Sequence, residues 1–469
     1  MHYSIVKKSD LDKIVSRLDA EYYQPFFLTL EKKIKEQKTK TIREDDGIFD
    51  CSAFYPSIVG AYNFSGKGIP FLRVNEIKNG LLSITKDTAF LPKEILKANP
   101  STIAKCCPGD IIIAKGGNSL AKVALLTGNY PYYAVSRDVI ILKTENLKEF
   151  NKFFIWIFLH SQIGQNLLLR TASQTGQPHL TLEALYQLDL PLYSNIFQNK
   201  FEKLYIASEN LKYRADSIYN EAQDELLQYL KLDEWNSNHK LTFIKNLSDT
   251  ISSSRIDAEY YQPKYDEFLK ILSNHSEGCI NLGEIIKDSN FKPKEDKKYI
   301  YIELSNIAEN GEIIDYTHDE GRNLPSRARR KVDKGDLIVS TIEGSLSCIA
   351  LIEDYFDNAL CSNGFFVIKS NEINSETLLI LLRSIVGQIQ LKKGSSGTAL
   401  TSINESEYSK IVLPKINPEM QSTLKGKINE CISLRNQSKN LLQNAKSALE
   451  KAVYENEMSA LNWMSKKFN

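Results

Sequence analysis

The same nine-residue segment occurs twice in this chain. Residues 17–25 read Arg-Leu-Asp-Ala-Glu-Tyr-Tyr-Gln-Pro, and residues 255–263 repeat them with Ile in place of Leu at the second position. Further matches follow in the same order: 108–113 with 334–339, 163–165 with 386–388, and 190–191 with 413–414. The difference in residue number between matched positions decreases in small steps along the chain, as loop insertions between two copies of one fold would produce. The sequence therefore predicts two duplicated domains.

Size and composition favour a soluble multidomain protein. The 469 residues exceed what one hydrophobic core usually serves, and 42% hydrophobic with 25% charged residues is ordinary for a globular chain. Seven Cys without a Cys-x-x-Cys pair argue against structural zinc or a disulfide framework. Residues 1–8 lack the apolar core of a secretory signal, and the apolar run 153–159 is too short to cross a bilayer. We expect a cytoplasmic location.

Short apolar runs followed by helical stretches predict an α+β fold for each copy. Asn79-Gly80 and Asn310-Gly311 lie between such runs and predict hairpin turns. The predicted strands of the first copy cover 69–74, 110–114, 123–126 and 139–142, and the predicted helical stretches cover 148–170 and 375–393.

Each copy ends in a segment that predicts a long helix. Mostly apolar and small residues recur at alternating steps of three and four from Leu204 to Leu232 and from Leu424 to Ala452, which is the pattern of a heptad seam. The first seam includes Ile218 and Glu225. Two equivalent helices can pair antiparallel and relate the copies by a pseudo-twofold axis. The alternative is two unrelated amphipathic helices, each packed on its own domain. The predicted domains are two similar α/β domains, 1–195 and 236–418, and two antiparallel coiled-coil helices, 196–235 and 419–469.

The motifs of enzymes that act on nucleic acids are missing or incomplete. No Asn-Pro-Pro-aromatic or Asp-Pro-Pro-aromatic tetrad and no His-Glu-x-x-His occurs. Ser65-Gly66-Lys67-Gly68 lacks the Ser or Thr of a phosphate loop. Asp110 has Ile113 where a nuclease would need a second acid, so a Gly-Asp turn is favoured. We therefore predict no catalytic residue, no metal site and no cofactor bound by this chain.

Polar loops between matched strands differ between the copies and carry side chains suited to base edges and phosphates. Arg and Lys suit guanine, Asn and Gln suit adenine, and Ser and Thr are permissive, while each loop read alone is an ordinary solvated turn. Arg137 and Asn363 occupy one alignment position, as two copies with different targets would. The candidate DNA-binding residues are Lys115, Asn118, Ser119, Lys122, Arg137, Gln174, Gln177, His179, Ser345, Ser347, Asn363, Ser395, Ser396, Thr398 and Thr401, with Arg73 and Asn75 as weaker candidates.

The acids of the repeated nonapeptide are interpreted as structural or partner-docking groups. An acid two residues from an Arg favours a local ion pair, and identical copies suit a shared scaffold better than target-specific contacts. The residues concerned are Arg17, Asp19, Glu21, Arg255, Asp257 and Glu259.

Charge gives weak evidence against nucleic acid as a partner. The net charge is +1 overall. Residues 1–195 carry 24 Lys and Arg against 19 Asp and Glu, and residues 236–418 carry 22 against 26. A sequence-specific reader needs only a local positive face.

These features together resemble the specificity subunit of type I restriction–modification enzymes. The resemblance is carried by the duplicated nonapeptide, the Gly-Asp strand starts at Gly109 and Gly335, the Gly/Ser-rich loop before Leu-Pro, and a helix closing each half. It implies two target-recognition domains that each read half of a split DNA site, separated by helical spacers. It also implies two methyltransferase subunits as partners, S-adenosylmethionine on those partners, and a restriction–translocase subunit as a further partner.

Two alternatives remain open. One is a recognition subunit of another methylation-linked anti-phage defence system, which sequence alone hardly separates from the first. The other is a stand-alone nuclease or methyltransferase. Activity of the purified chain without partners distinguishes the enzyme from both recognition subunits.

Overall fold

The computed structural model is a mixed helix and strand protein that divides into two compact units. The first unit comprises Met1–Asn210 with Gln437–Asn469, and the second comprises Leu211–Asn436. The structure describes residues 5–8, 11, 18–54, 57–85, 87–128, 130–172, 178–236, 238–308, 310–396 and 401–468.

The first unit contains three sheets whose strands are buried at most positions. Their strand orders are β2-β11-β8-β9-β5-β4, β6-β3-β10-β7 and β1-β12. The strands are β1 (Thr39–Thr41), β2 (Ile48–Cys51), β3 (Ile69–Leu72), β4 (Ile77–Lys78), β5 (Gly80–Leu82), β6 (Ala89–Leu91), β7 (Lys105–Cys106), β8 (Ile111–Ala114), β9 (Val123–Leu125), β10 (Tyr133–Val135), β11 (Val139–Lys143) and β12 (Asp189–Pro191).

The helices of the first unit cover the largest of these sheets and complete its core. The apolar α3 buries its residues from Phe153 to Leu159. The helices are α1 (Pro25–Lys35), α2 (Lys93–Ala98), α3 (Lys152–His160), α4 (Gln162–Thr171), α5 (Leu182–Tyr186), α6 (Asn195–Tyr229, shared with the second unit) and, at the C-terminal end of the chain, α12 (Pro418–Tyr454, also shared) and α13 (Glu457–Phe468).

The second unit contains a three-, a four- and a two-stranded sheet. Their orders are β18-β17-β20, β15-β14-β19-β16 and β13-β21. The strands are β13 (Cys279–Asn281), β14 (Lys298–Ile302), β15 (Thr317–Glu320), β16 (Ala328–Lys331), β17 (Leu337–Ser340), β18 (Ile349–Leu351), β19 (Leu360–Ser362), β20 (Phe365–Ile368) and β21 (Val412–Pro414), and the helices are α7 (Leu247–Ser253), α8 (Pro263–Ser273), α9 (Ser375–Arg383), α10 (Ile385–Gly394) and α11 (Glu405–Tyr408).

The four-stranded sheets of the two units have the same pairing pattern. In each, two central strands run parallel, β3 with β10 and β14 with β19, while the outer strands pair antiparallel. In each sheet, the two parallel strands therefore end at the same edge. Arg73 and Ser136 directly follow these strands in the first unit, and Glu303 and Asn363 directly follow them in the second.

Several local predictions are confirmed. Asn79 (φ 48°) and Gly80 (φ 82°) form the turn between the antiparallel β4 and β5, and the two successive positive φ angles are those of a type I′ hairpin. Gly109 has φ +98°, and the Asp110 carboxylate accepts the Cys107 N–H at 2.8 Å. The Gly-Asp pair therefore makes a turn, and burial raises the pKa of Asp110 more than its backbone hydrogen bonds lower it.

Each predicted helical stretch after the strands is two helices, because a serine interrupts it. Ser161 follows α3 and caps α4 by accepting the Gly164 N–H at 3.2 Å. Ser384 does the same between α9 and α10 by accepting the Val386 N–H at 3.2 Å. A Cβ at Gly164 would lie 2.0 Å from the carbonyl oxygen of Phe158, so this tight corner requires glycine.

The long helices α6 and α12 pack on each other within each unit. In the first unit, the fully buried hydroxyls of Ser208 and Ser438 lie 2.7 Å apart. In the second, Arg435 pairs with Asp216 at 2.9 Å and Lys427 with Glu225 at 2.7 Å, so the helices run in opposite directions there. The predicted seam is displaced by one residue in the middle: Tyr219 and Leu226 are buried instead of Ile218 and Glu225. The displacement leaves the Glu225 carboxylate free to pair with Lys427.

Candidate nucleic-acid interface

Three candidate loop segments of the first unit meet at one backbone junction. The Lys115 N–H donates to the carbonyl of Asp138 at 2.8 Å, and the Leu180 N–H donates to the carbonyl of Lys115 at 2.8 Å. Gly116 and His179 form a further antiparallel bridge. We call the segments 115–122, 136–138 and 178–180 the first loop junction. Residues predicted separately from the sequence thus share one small region.

Close packing and unusual backbone angles shape the longest segment of this junction. A Cβ at Gly116 would lie 2.2 Å from Nδ1 of His179, so only glycine permits this approach. Gly117 (φ 70°), the first residue of the 3₁₀ turn Gly117–Ser119, and Ala121 (φ 67°), two residues after that turn, adopt left-handed conformations. The Gln165 side chain of α4 donates to the carbonyl of Ala121 at 2.9 Å and so fixes the end of the turn.

The candidate side chains of the first loop junction are mostly open to solvent. Asn118, Lys122 and Arg137 are exposed, and Lys115, Ser119 and His179 are half-buried. Gln174 and Gln177 lie outside the described residues. A guanidinium, two ammonium groups and an amide thus stand within one set of connected loops. That set can contact phosphates and base edges.

The second unit has a junction built by equivalent backbone hydrogen bonds. The Thr341 N–H donates to the carbonyl of Gly364 at 2.9 Å, and the Ile403 N–H donates to the carbonyl of Thr341 at 2.8 Å. Ile342 and Ser402 form the bridge that corresponds to Gly116 and His179. We call 341–348, 362–364 and the described parts of 395–403 the second loop junction.

The candidate side chains of the second loop junction differ in their exposure to solvent. Asn363 and Ser396 are exposed, and Ser345, Ser347 and Thr401 are half-buried. Ser395 is buried, and its hydroxyl donates to the carbonyl of Leu391 at 2.9 Å, so it faces its own helix. Thr398 lies outside the described residues.

The weaker candidates Arg73 and Asn75 lie at a 3₁₀ turn after β3, Arg73 as its N-cap and Asn75 within it. The Arg73 guanidinium donates to the Glu76 carboxylate at 3.0 Å and to the carbonyl of Asp87 at 2.8 Å. Asn75 is exposed. Arg73 therefore already has two partners where it lies, whereas Asn75 is free to point to solvent.

Sequence reasoning missed the residues that hold the loops. Gln388 donates to the carbonyls of Leu346 and Leu382 at 3.1 and 2.9 Å, as Gln165 does to Ala121 and Leu159. The repeated pairs Gly164-Gln165 and Gly387-Gln388 are the sequence signal for these contacts, but from the sequence alone they indicate only the duplication. Their glutamines tie each loop to the helix corner behind it.

The second nonapeptide connects to its loop junction through Arg255. This side chain pairs with Asp257 at 2.8 Å and donates to the carbonyls of Gly394 and Ser395 at 3.2 and 2.8 Å. It thereby caps the C-terminal end of α10, where a cation is favourable. Glu259 is partly buried, but hydrogen bonds from Tyr265 and Lys264 outweigh that burial and lower its pKa.

The first nonapeptide shows a related arrangement where it is described. The Asp19 carboxylate accepts the Tyr22 N–H at 3.1 Å, as Asp257 accepts that of Tyr260. The Arg170 guanidinium lies 4.2 Å from the centre of the Tyr22 ring, and Lys393 lies 5.2 Å from that of Tyr260. Glu21 is exposed, and Arg17 lies outside the described residues.

The structure adds two findings on other classes of site. Within the described residues, no group of three or more His, Cys, Asp or Glu side chains is arranged to hold a metal ion. No helix in that part of the chain combines the length and apolarity needed to cross a membrane.

Two of the solved structures similar to this chain are specificity subunits of type I restriction–modification systems. The chain resembles type I specificity subunits. The S subunit of a type I restriction–modification system from M. genitalium is 16% identical over 89% of this chain and 94% of that one, with a TM-score of 0.37. The HsdS subunit from Thermoanaerobacter tengcongensis is 25% identical, but the match spans 38% of this chain and 46% of that subunit, with a TM-score of 0.30.

A third neighbour is an enzyme, the type IIG restriction endonuclease BpuSI. It is 13% identical over 39% of this chain and 28% of its own, with a TM-score of 0.31. No protein-family model matches the sequence, and no curated protein matches it either. At TM-scores this low, the function is inferred from the loops and helices of this chain.

Proposed function

We propose that this chain is the non-catalytic DNA-recognition subunit of a type I restriction–modification complex. Each unit reads one part of a bipartite double-stranded DNA site. The observation that carries the proposal is the pair of loop junctions. They share equivalent backbone hydrogen bonds at Lys115 and Thr341 but present different side chains. A constant frame with variable contacts is what two readers of different sequences require.

The proposed domain organisation follows the internal duplication. Residues 1–195 and 236–418 form the two target-recognition domains, and 196–235 and 419–469 form the conserved spacers. The spacers pair as an antiparallel coiled coil, and the halves are related by a pseudo-twofold axis. The Ser208–Ser438 contact and the ion pairs of Arg435 and Lys427 support this pairing.

Two methyltransferase subunits are the proposed protein partners, and they dock on the spacers and the nonapeptides. Two equivalent helices and two nearly identical motifs offer equivalent surfaces, which suits two copies of one partner. Those partners bring S-adenosylmethionine, and this chain binds no cofactor. A restriction–translocase subunit is a further partner. The proposed location is the cytoplasm.

Selection from a random duplex pool tests the proposal. The purified full-length chain, alone and with its methyltransferase, is incubated with double-stranded oligonucleotides that carry a randomised region of about 30 base pairs. The expected result is enrichment of one asymmetric word in two parts with an unread gap, and methylation of that word only with the partner. Enrichment of one continuous short word would overturn the two-reader proposal.

A second measurement separates this proposal from the enzyme alternative. The chain alone is incubated with DNA, Mg²⁺ and S-adenosylmethionine, and cleavage and methyl transfer are followed. We expect neither activity to exceed that of a no-protein blank. Activity that co-purifies with the chain and needs no partner would contradict the non-catalytic assignment.

A further inference from the structure

The second loop junction differs from the first in having no cation of its own. The segments 341–348, 362–364 and 395–403 contain no Lys or Arg, and Glu343 adds a negative charge. The first loop junction carries Lys115, Lys122 and Arg137. A DNA-reading surface needs local positive charge, so the second junction lacks a component that its proposed role demands.

Three arginines outside those segments contact the second loop junction. The guanidinium groups of Arg255 and Arg383 are used by the carbonyls of Ser395 and Ser347, whereas that of Arg327 is exposed. The carbonyl of Arg327 accepts the Asn363 N–H at 2.9 Å, so the two residues are backbone neighbours. Arg327 lies one residue before β16, which pairs with β19. The Arg327 guanidinium therefore emerges at the sheet edge where Asn363 is exposed.

The Arg327 side chain is both exposed and held in place. Its guanidinium lies 2.6 Å from the Glu303 carboxylate, and 56% of the side chain is accessible to solvent. Glu303 directly follows β14, which runs parallel to β19. Since a carboxylate restrains a guanidinium by charge-assisted hydrogen bonds, the planar group is oriented before any ligand arrives.

In the first unit, the arginine at the equivalent sheet edge is next to a different strand. There Arg73 follows β3, at the position that Glu303 occupies after β14, and Glu76 is its partner. The charge pair is thus present in both units, but its cation and anion come from different elements. Such an exchange is not visible in an alignment of matched positions.

We propose that Arg327 is a specificity-determining DNA contact of the second unit and reads the O6 and N7 edge of guanine in the major groove. This inference rests on the proposed function. An oriented guanidinium beside the exposed Asn363 matches the bidentate geometry that guanine offers. Glu303 restrains rotation of the Arg327 guanidinium, and its negative charge repels phosphate. The repulsion disfavours a contact with the DNA backbone alone.

The experiment compares duplex selection by full-length wild-type protein and three variants. Arg327→Ala removes the guanidinium, and Arg327→Gln substitutes a side chain suited to adenine. The matched control is Arg322→Ala, since Arg322 is 61% exposed, pairs with Glu320 and belongs to the same unit. Thermal melting of all four proteins checks that each is folded.

The expected results are specific to one half of the word. Wild-type protein requires guanine at a position where Arg327→Ala loses about 5- to 150-fold discrimination, the value of one bidentate pair. Arg327→Gln prefers adenine at that position, and Arg322→Ala selects the wild-type word.

Each contrary result has a distinct meaning. An unchanged word with Arg327→Ala overturns the inference and leaves the proposed function standing. Equal weakening on all sequences, with the word unchanged, assigns Arg327 to phosphate and also overturns it. If the wild-type chain with its methyltransferase selects no word, the proposed function fails first.

Discussion

The Arg383 guanidinium donates from Nε to the Tyr219 hydroxyl at 2.8 Å and thereby links α9 to the long helix α6 within the second unit. Its Nη1 donates to the carbonyl of Ser347 at 2.8 Å, in the second loop junction. One side chain therefore spans from a proposed spacer helix to a proposed reading loop. The first unit has His160 at the matched position, so this link belongs to one unit.

Tyr219→Phe tests whether that link positions the loop. The ring stays in the core, but Nε of Arg383 loses its acceptor, and a hydrogen bond to a charged group is worth about 1.5–3 kcal/mol. We expect several-fold weaker binding to the half-site read by the second unit, with the other half unaffected. Titration of DNA duplexes altered in one half at a time measures this. Tyr213→Phe, on the same helix but 80% exposed, is the control. Equal loss on both halves would contradict a local positioning role.

Exchange of Arg137 and Asn363 tests the two-reader proposal directly. Both residues are exposed in the turns that follow the matched strands β10 and β19. Arg137→Asn should change the preferred base in one half of the word from guanine towards adenine, and Asn363→Arg should change the other half in the reverse direction. A correct bidentate contact discriminates by about 1–3 kcal/mol.

The readout is the base frequency at each position of the selected pool. The two single variants act as controls for each other, since each should alter only one half. A change in the same half from both substitutions would show that the two turns do not belong to separate readers.

Local features of this fold were predictable, whereas the junctions depended on long-range pairing. The Asn79-Gly80 hairpin and the Gly109-Asp110 turn follow from residues close together in sequence. The contact of Gly116 with His179 joins residues 63 positions apart and becomes visible only when the strands pair. Periodicity located both long helices but not which of two neighbours is buried at Tyr219, because one residue changes the helix face by about 100°.

The proposed role of Arg327 is not visible in the sequence for another reason. Alignment of the copies compares equivalent positions, but the cation at this sheet edge comes from different strands in the two units. Ser395 shows the converse limit. Its residue type suits DNA, yet its hydroxyl is used by the Leu391 carbonyl. Residue type alone does not tell whether a polar group is already satisfied.

Gly116→Ala should distort the first loop junction. The new methyl group would lie 2.2 Å from the His179 ring and 3.2 Å from the carbonyl of Pro178, so 178–180 must move. Overpacking of this kind costs about 1–3 kcal/mol. We expect a lower melting temperature and weaker binding to the first half-site. Gly344→Ala is the matched control, since a Cβ there meets no atom within 4 Å. Equal effects of both substitutions would refute the steric explanation.

Stability of the first unit should fall on mild acidification because of His160. Burial, assisted by the nearby Lys446 ammonium, lowers the pKa of His160 from 6.5 to about 4. Above pH 6.5 the imidazole is neutral in both states and carries no penalty. Between pH 6.5 and about 4 the unfolded chain binds a proton that the folded chain does not bind, so the free energy of unfolding decreases, by up to about 3.5 kcal/mol at about 1.4 kcal/mol per pKa unit. Melting temperatures measured from pH 7.5 to 4.5 should therefore fall less steeply for His160→Gln than for wild type. The exposed His318→Gln should retain the wild-type slope. Parallel curves for wild type and His160→Gln would show that another group controls the acid response.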